Sequence, residues 1–170
     1  MRGLVYKSTG SWYSVKTPSN DQFDCRIKGK FRLDGIKSTN PIAVGDYVDF
    51  ELEKNSDVVT GVINNICERK NYVLRKSVNL SKQTHIIAAN IDLAFLLVTL
   101  DNPPTFTSFI DRFLATAEAY HIKAILLFNK VDLYDEALNL KKKELIRIYE
   151  NIGYTCLEIS ATENININKV

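Results

Sequence analysis

A short run in the second half of the chain has the residue types and the spacing needed to read a guanine base. Asn129, Lys130 and Asp132 form an Asn-Lys-x-Asp pattern, with Val131 at its variable position. The Asp132 carboxylate can accept hydrogen bonds from both the N1–H and the 2-amino group of guanine, a pair of donors that adenine lacks. Because a wrong base would leave this carboxylate unpaired, the pattern predicts a strong preference for guanine.

The other members of this loop have expected roles of their own. The Asn129 side-chain amide can donate to the base and can also tie neighbouring loops together. The aliphatic stem of Lys130 can lie over the purine face, and Val131 would only anchor the loop in the core. The loop follows residues 124–128, a wholly apolar run typical of a central parallel strand. Ligands bind at the carboxyl ends of such strands, and the loop occupies that position.

Ser160 and Ala161 are a second candidate part of a base pocket. They follow residues 154–159, which we predict to be a strand. In GTP-binding domains a Ser-Ala pair at this place offers a backbone N–H to guanine O6, while the serine shapes the turn. The alternative interpretation is an ordinary Ser/Thr turn at the end of a strand.

The sequence contains no loop that could hold the phosphates of a nucleotide. A P-loop requires two glycines five positions apart, the second followed by Lys and Ser or Thr. The glycines occupy positions 3, 10, 29, 35, 45, 61 and 153, and no two of them have this spacing. An Asp-x-x-Gly switch motif is absent as well. We therefore identify base-reading candidates in these residues but no catalytic residue.

The elements that must position these residues alternate between strands and helices. We predict strands at 91–99, 124–128 and 154–159, with helices at 107–120 and from Asp135, as N-cap, to Gly153. This order indicates a parallel sheet with right-handed crossovers. The expected apolar faces of the two helices are Ile110, Phe113, Leu114 and Ala117, and Leu138, Leu145, Ile148, Tyr149 and Ile152. We expect Lys141, Lys142 and Lys143 to lie on the solvated face of the second helix, without a functional role.

The first eighty or so residues have a different pattern, in which short stretches of alternating apolar and polar residues are separated by turn signals. We predict strands at 3–7, 12–15, 23–27, 47–52 and 58–66. Short strands at this spacing favour a small closed barrel, with an oligonucleotide-binding (OB) fold as the leading candidate. Gly45 and Gly61 would mark bulges or tight bends.

Charge is distributed unequally, with a net charge of +5 on residues 1–82 and −3 on residues 83–170. Basic residues interleaved with aromatic ones suit a surface that follows a phosphate backbone and stacks on bases. The candidate RNA-binding residues are Arg26, Lys28, Lys30, Arg32, Lys37, Arg69, Lys70 and Arg75. A solvated basic loop is the alternative interpretation.

Composition excludes several classes of protein. No apolar run approaches the roughly eighteen residues of a membrane helix, and residues 1–7 do not resemble a signal peptide. Cys25, Cys67 and Cys156 are odd in number and far apart, so neither a disulfide framework nor a metal-binding spacing is visible. We therefore expect a cytoplasmic protein with three buried thiols and no membrane partner.

Taken together, these segments resemble the N-terminal part of the ribosome small-subunit-dependent GTPase A family. The residues that carry the resemblance are 26–32, 41–46 (Pro-Ile-Ala-Val-Gly-Asp), 69–75 (Arg-Lys-Asn-Tyr-Val-Leu-Arg), 88–92, 110–114 and 129–132. Members of this family are circularly permuted GTPases, in which the base-reading motifs precede the P-loop. The resemblance covers essentially the whole chain and would explain an Asn-Lys-x-Asp pattern with no P-loop upstream.

The resemblance implies both a fold and a function. The fold class would be β plus α/β, with an OB-fold barrel at 1–68, a connecting segment at 69–88 and the first half of a circularly permuted P-loop-type GTPase domain at 89–170. The protein would be a cytoplasmic monomer that binds the 30S subunit and its 16S rRNA late in assembly. It would hydrolyse GTP to GDP slowly, with stimulation by the subunit, and Mg²⁺ would accompany the nucleotide.

The sequence also departs from the family pattern. The P-loop, the switches and the zinc-binding C-terminal region, where Zn²⁺ is expected, are not among these residues, and Thr162 stands in place of a more usual lysine. We expect the chain to be a fragment or a shortened product that does not hydrolyse GTP by itself, because nothing in it can cradle the β and γ phosphates. Two alternatives remain: a non-catalytic RNA-binding module scaffolded by its α/β part, and a chance Asn-Lys-x-Asp in another α/β protein.

Overall fold

The computed structural model describes residues 1–27, 41–55, 58–76 and 84–170, which form two compact units, 1–91 and 92–170. The strands and helices are β1 (Arg2–Thr9), β2 (Trp12–Lys16), β3 (Gln22–Ile27), β4 (Tyr47–Asn55), β5 (Val58–Ile66), β6 (Tyr72–Lys76), β7 (Thr84–Ala89), β8 (Leu93–Val98), α1 (Thr107–Ala119), β9 (Lys123–Phe128), α2 (Glu136–Asn151) and β10 (Thr155–Glu158). Neither of these helices is long and apolar enough to cross a membrane.

The first unit contains a closed five-stranded barrel with the strand order β1-β2-β3-β5-β4. Neighbouring strands are antiparallel except β3 and β5, which pair in parallel. The barrel forms because alternate side chains of every strand point inward and exclude water. Its buried core includes Val5, Val15, Cys25, Val48, Phe50 and Ile63. The predicted OB-like barrel and its five strands are therefore confirmed.

Gly61 is required by close packing inside this barrel. It pairs with Cys25 in regular register, and a Cβ at position 61 would lie 2.3 Å from the Cys25 Sγ. The prediction of a bulge or bend at Gly61 was therefore wrong, because the residue sits in a regular strand where only a hydrogen side chain fits. Burial raises the pKa of the Cys25 thiol to about 12. Cys67 and Cys156 are only half-buried, so the expectation of three buried thiols holds for Cys25 alone.

A two-stranded antiparallel ribbon, β6–β7, follows the barrel and includes most of the segment predicted to be a simple connection. It docks on the barrel through the 41–46 segment. The Ala89 N–H donates to the Val44 carbonyl (2.9 Å). Gly45 has φ +90°, and a Cβ on it would lie 2.0 Å from the Ala89 oxygen. The tight bend predicted at Gly45 is confirmed, and the close approach of the ribbon explains why glycine is needed there.

The second unit contains a three-stranded parallel sheet with the order β10-β9-β8, together with the helices α1 and α2. On α1, burial of Ile110, Leu114 and Ala117 confirms the predicted apolar face, with Phe113 half-buried. On α2 the prediction was only partly right. Tyr149 is buried and Leu138 and Leu145 are half-buried, whereas Ile148 and Ile152 are exposed.

Lys142 was expected on the solvated face of α2 but is buried. Its Nζ donates to the Glu158 Oε2 (2.5 Å) on β10 and to the Asn139 Oδ1 (3.0 Å). Lys141 and Lys143 are exposed, as expected. The prediction failed for Lys142 because helical spacing cannot show that a carboxylate on a neighbouring strand will meet the lysine and compensate its burial.

Candidate nucleotide-binding site and nucleic-acid surface

The 129–132 loop lies at the carboxyl end of β9 and is joined to the segments that follow both neighbouring strands. The Asn129 N–H donates to the Val98 carbonyl (2.8 Å) at the end of β8. On the other side, the Val131 N–H donates to the Ile159 carbonyl (3.3 Å), and the Ile159 N–H donates to the Phe128 carbonyl (2.8 Å). The loop is thus held at the edge of a parallel sheet where ligands bind in α/β folds.

The Asn129 side chain joins two loops through its amide oxygen, while its amide nitrogen is not used in this contact. It is 9% exposed. Its Oδ1 accepts from the Ala161 N–H (3.2 Å), which is the loop tie expected from the sequence. Its Nδ2 has no hydrogen-bond partner among the residues that the structure describes. A buried amide nitrogen without a partner is unfavourable unless a ligand or water accepts from it, so this atom points to a binding site.

Lys130 and Asp132 present the other two polar groups of the loop. Lys130 adopts a left-handed conformation (φ 64°), and its Nζ donates to the Asn102 carbonyl in the loop after β8. Asp132 lies in a 3₁₀ turn, Val131–Leu133, and is exposed. Within the described parts of the chain, its carboxylate accepts no hydrogen bond and is therefore available to a ligand. Val131 is half-buried, as its expected anchoring role requires.

Ser160 and Ala161 lie beside Asn129, as the predicted pocket requires. Ser160 is fully buried, its backbone pairs with Ile165 (3.2 and 2.9 Å), and its Oγ accepts from the Glu163 N–H (3.0 Å). The serine therefore shapes the turn. The Ala161 N–H, which we expected to meet guanine O6, donates here to Asn129. Its use for a base remains a prediction that requires a shared, bifurcated hydrogen bond.

The predicted RNA-binding residues have different environments. Arg26 lies on β3 and pairs with Glu53 (2.9 Å), with both side chains about half exposed. Lys70 is exposed, and its backbone N–H donates to the Asn90 Oδ1 (2.9 Å). Four of the predicted residues, Lys28, Lys30, Arg32 and Lys37, lie outside the described residues, as does the side chain of Arg75.

Arg69 has a structural role in place of the RNA contact expected for it. Its Nε and Nη2 bind both carboxylate oxygens of Asp46 (2.6 Å each), and Nη2 also donates to the Pro41 carbonyl (2.8 Å). The Asp46 side chain is fully buried and the Arg69 side chain is 9% exposed. The charge of Arg69 is therefore neutralised inside the fold, which the sequence pattern of basic residues did not indicate.

Two residues of the site were missed. The Tyr134 hydroxyl donates to the Asn129 carbonyl (2.7 Å), and the Asn102 carbonyl receives Lys130. Tyr134 comes two residues after Asp132, and this proximity is the sequence signal that could have drawn attention to it. Nothing in the sequence indicates Asn102, because its contact uses a backbone atom.

The fold and the site together define a class of protein: an OB-like barrel joined to a parallel α/β sheet that carries an Asn-Lys-x-Asp loop at the carboxyl end of a strand. Matches to two family models identify the family within this class. The model for the RsgA N-terminal domain matches residues 2–63, and the model for the RsgA GTPase matches residues 66–170. The chain therefore belongs to the RsgA GTPase family, and the resemblance inferred from the sequence is confirmed.

Individual relatives agree with this assignment. The small ribosomal subunit biogenesis GTPase RsgA of Flavobacterium johnsoniae is 65% identical over all 170 residues, which cover 52% of that protein. The same protein of Flavobacterium psychrophilum is 61% identical over the same length and share. The crystal structure of YjeQ from Thermotoga maritima matches with a TM-score of 0.74 and 34% identity, over 99% of this chain and 54% of that one. YloQ, described as a circularly permuted GTPase, matches with a TM-score of 0.68 and 29% identity, over 95% of this chain and 52% of that one.

The chain spans about half the length of the curated relatives that it matches. One of the structural relatives, YloQ, is described as circularly permuted, and such an order would account for an Asn-Lys-x-Asp loop with no P-loop before it. The predicted fold class, an OB-like barrel followed by part of a permuted GTPase domain, is confirmed by these matches.

Proposed function

We propose that the protein is a GTPase of small ribosomal subunit biogenesis and that residues 129–132 with 160–161 read the guanine base. The observation that carries this proposal is the Asn129 side chain, which is buried and tied through Oδ1 to Ala161 while its Nδ2 is left without a partner in the described structure. The relatives named as small ribosomal subunit biogenesis GTPases support it.

Recognition would follow from the chemistry of each group. Asp132 accepts from the guanine N1–H and 2-amino group, and the Asn129 Nδ2 donates to the base. The stem of Lys130 covers one face of the purine, and Val131 anchors the loop. Ser160 shapes the turn that brings Ala161 to the pocket. Adenine is rejected because it would leave the Asp132 carboxylate facing an unprotonated ring nitrogen.

Phosphate binding and hydrolysis are assigned to sequence outside these 170 residues. No P-loop pattern occurs here, and no group of three or more His, Cys, Asp or Glu side chains in the described ranges could hold a metal ion. Mg²⁺, which neutralises charge on the β and γ phosphates in such enzymes, would accompany the nucleotide, and Zn²⁺ would belong to a C-terminal region that is not among these residues. The proposed setting is the cytoplasm, with the protein acting as a monomer on the 30S subunit.

Hydrolysis in the complete natural protein containing this chain tests the proposal. We expect slow release of phosphate from GTP that rises when purified 30S subunits are added, and no release above background from residues 1–170 alone. Addition of 50S subunits at the same concentration is the control. Binding of 30S subunits without any binding of GDP would instead favour the non-catalytic RNA-binding alternative.

The barrel and the segment that follows it are the proposed contact with 16S rRNA. The cations that we assign to this surface are Arg26, Lys28, Lys30, Arg32, Lys37, Lys70 and Arg75, and Arg69 is omitted because Asp46 neutralises it. The net charge of +5 on residues 1–82 supports this choice, since phosphate contacts dominate nucleic-acid affinity. The exposed pair of Arg26 with Glu53 is weak enough to exchange for a phosphate.

Replacing Arg26, Lys28 and Lys30 by glutamine should weaken binding to 30S subunits and flatten its dependence on salt. If each residue meets one phosphate, the slope of log K against log salt should fall by about 2–3. The matched control replaces Lys141, Lys143 and Arg147, which are exposed on α2, so that the same charge is removed elsewhere. An unchanged slope in the barrel variant, or an equal change in the control, would place the RNA surface elsewhere.

A further inference from the structure

Tyr134 connects the 129–132 loop, called the guanine loop from here on, to the loop that follows β8. Its side chain is buried, and its hydroxyl donates to the Asn129 carbonyl (2.7 Å) while accepting from the Leu100 N–H (2.9 Å). Burial raises the pKa of this phenol. The hydroxyl therefore keeps its proton at neutral pH and can act as donor and acceptor at once.

The loop after β8 is itself held in place by internal hydrogen bonds. The Thr105 N–H donates to the Thr99 carbonyl (2.7 Å), and the Thr99 N–H donates to the Thr105 Oγ1 (3.1 Å). The Thr99 hydroxyl donates to the Pro103 carbonyl (2.5 Å). This loop also provides the Asn102 carbonyl that receives Lys130. The loop after β8, which is fixed by its own hydrogen bonds, therefore contacts Lys130 directly and Asn129 through Tyr134.

We propose that Tyr134 is a positioning residue for guanine recognition, acting through Asn129. With Tyr134 in place, three atoms of Asn129 are held: its N–H by Val98, its carbonyl by Tyr134 and its Oδ1 by Ala161. The direction of the remaining group, Nδ2, then follows from the other three. Such preorganisation strengthens binding because little motion is lost when the base arrives.

The inference rests on the proposed function, since it concerns the same guanine site, and it must be separated from a general effect of losing a buried hydrogen bond. Tyr149 offers the matched comparison. It is 3% exposed, and its hydroxyl donates to the Asp111 Oδ1 (2.9 Å), which joins α2 to α1. In the described structure this hydrogen bond involves no residue of the guanine loop, so Tyr149→Phe makes the same chemical change without touching the site.

The test measures GDP affinity and melting temperature for Tyr134→Phe and Tyr149→Phe in the complete natural protein. We expect Tyr134→Phe to raise the Kd for GDP about tenfold, the equivalent of the one buried hydrogen bond that the hydroxyl donates to the Asn129 carbonyl. Tyr149→Phe should lower the melting temperature without changing this Kd. Because Tyr134 acts through Asn129, adding Tyr134→Phe to Asn129→Ala should weaken GDP binding no further.

Results that contradict the role of Tyr134 can be distinguished from results that contradict the proposed function. An unchanged GDP Kd in Tyr134→Phe, or losses that simply add to those of Asn129→Ala, would overturn the role of Tyr134 while leaving the GTPase assignment intact. Absence of GDP binding by the unmodified protein would overturn both. If Tyr134→Phe does not fold, hydrogen exchange in the unmodified protein replaces it: the Leu100 amide should exchange more slowly when GDP is bound, and an unchanged rate would contradict the inference.

Discussion

Asp132→Asn should exchange the preference of the site from guanine to xanthine nucleotides. The asparagine Oδ1 can still accept from the N1–H, but its Nδ2 donates where the carboxylate accepted. It therefore opposes the 2-amino group of guanine and matches the 2-oxo group of xanthine. Since two donors that face each other in the complex are both left unpaired, GDP affinity should fall by a factor on the order of 10³ or more. XDP should become the preferred ligand of the variant.

Competition between GDP and XDP for the complete natural protein measures this exchange directly. Asp135→Asn is the matched control, because it makes the same isosteric change three residues away. Asp135 is the N-cap of α2 and accepts from the Leu138 N–H (2.8 Å), and asparagine caps helices about as well as aspartate. The control should therefore keep its preference for GDP. If Asp132→Asn also prefers GDP, then Asp132 does not read the base.

Asp46→Ala should destabilise the first unit by about 3–5 kcal/mol, because it leaves the buried Arg69 guanidinium without its counter-charge. The carboxylate has no exposure and binds Arg69 through both oxygens. It also accepts from the Ala43 N–H (2.8 Å), and this donor would lose its partner as well. The pair joins the 41–46 segment to the residues just before the β6–β7 ribbon, so its loss should weaken the first unit.

Chemical denaturation followed by the barrel's tryptophan fluorescence measures this loss. Glu53→Ala is the matched control, because it also removes a carboxylate from an arginine, Arg26, but one that is half exposed. Exposed pairs contribute less than about 1 kcal/mol. In the double variant of Asp46→Ala with Arg69→Met, the charge left behind is removed too, and the loss should be smaller than the sum of the single losses. Equal losses in Asp46→Ala and Glu53→Ala would show that burial of the pair has no energetic consequence.

Much of the fold followed from the sequence, because local patterns report local structure. Alternation of apolar residues located the barrel strands, and apolar runs with helical spacing between them located the parallel sheet. Two parts of the fold did not follow. The β6–β7 ribbon was missed because it is stabilised by docking on residues 41–46 and not by a pattern of its own. Burial of Lys142 was missed because its partner, Glu158, lies on another element.

The candidate site, like the fold, was predictable from the sequence in some respects and not in others. The residue types that can read guanine were visible in the sequence, since the hydrogen-bonding groups of Asn129 and Asp132 are properties of the side chains themselves. The positions of basic residues were visible too, but their roles were not. Arg26 and Arg69 look alike in the sequence, yet one pairs at the surface and the other is neutralised by a buried aspartate.

The order of the two structural units, the chemistry available to a guanine base and the absence of a P-loop from these residues can all be read from the amino-acid sequence. Which atoms of those residues remain available depends on the three-dimensional fold. Asn129 and Ala161 meet because parallel strands end at the same edge of a sheet, and Tyr134 reaches Leu100 because a loop from another strand lies beside it. Hydrogen bonds between residues that are distant in sequence depend on packing, and packing is set by the whole fold.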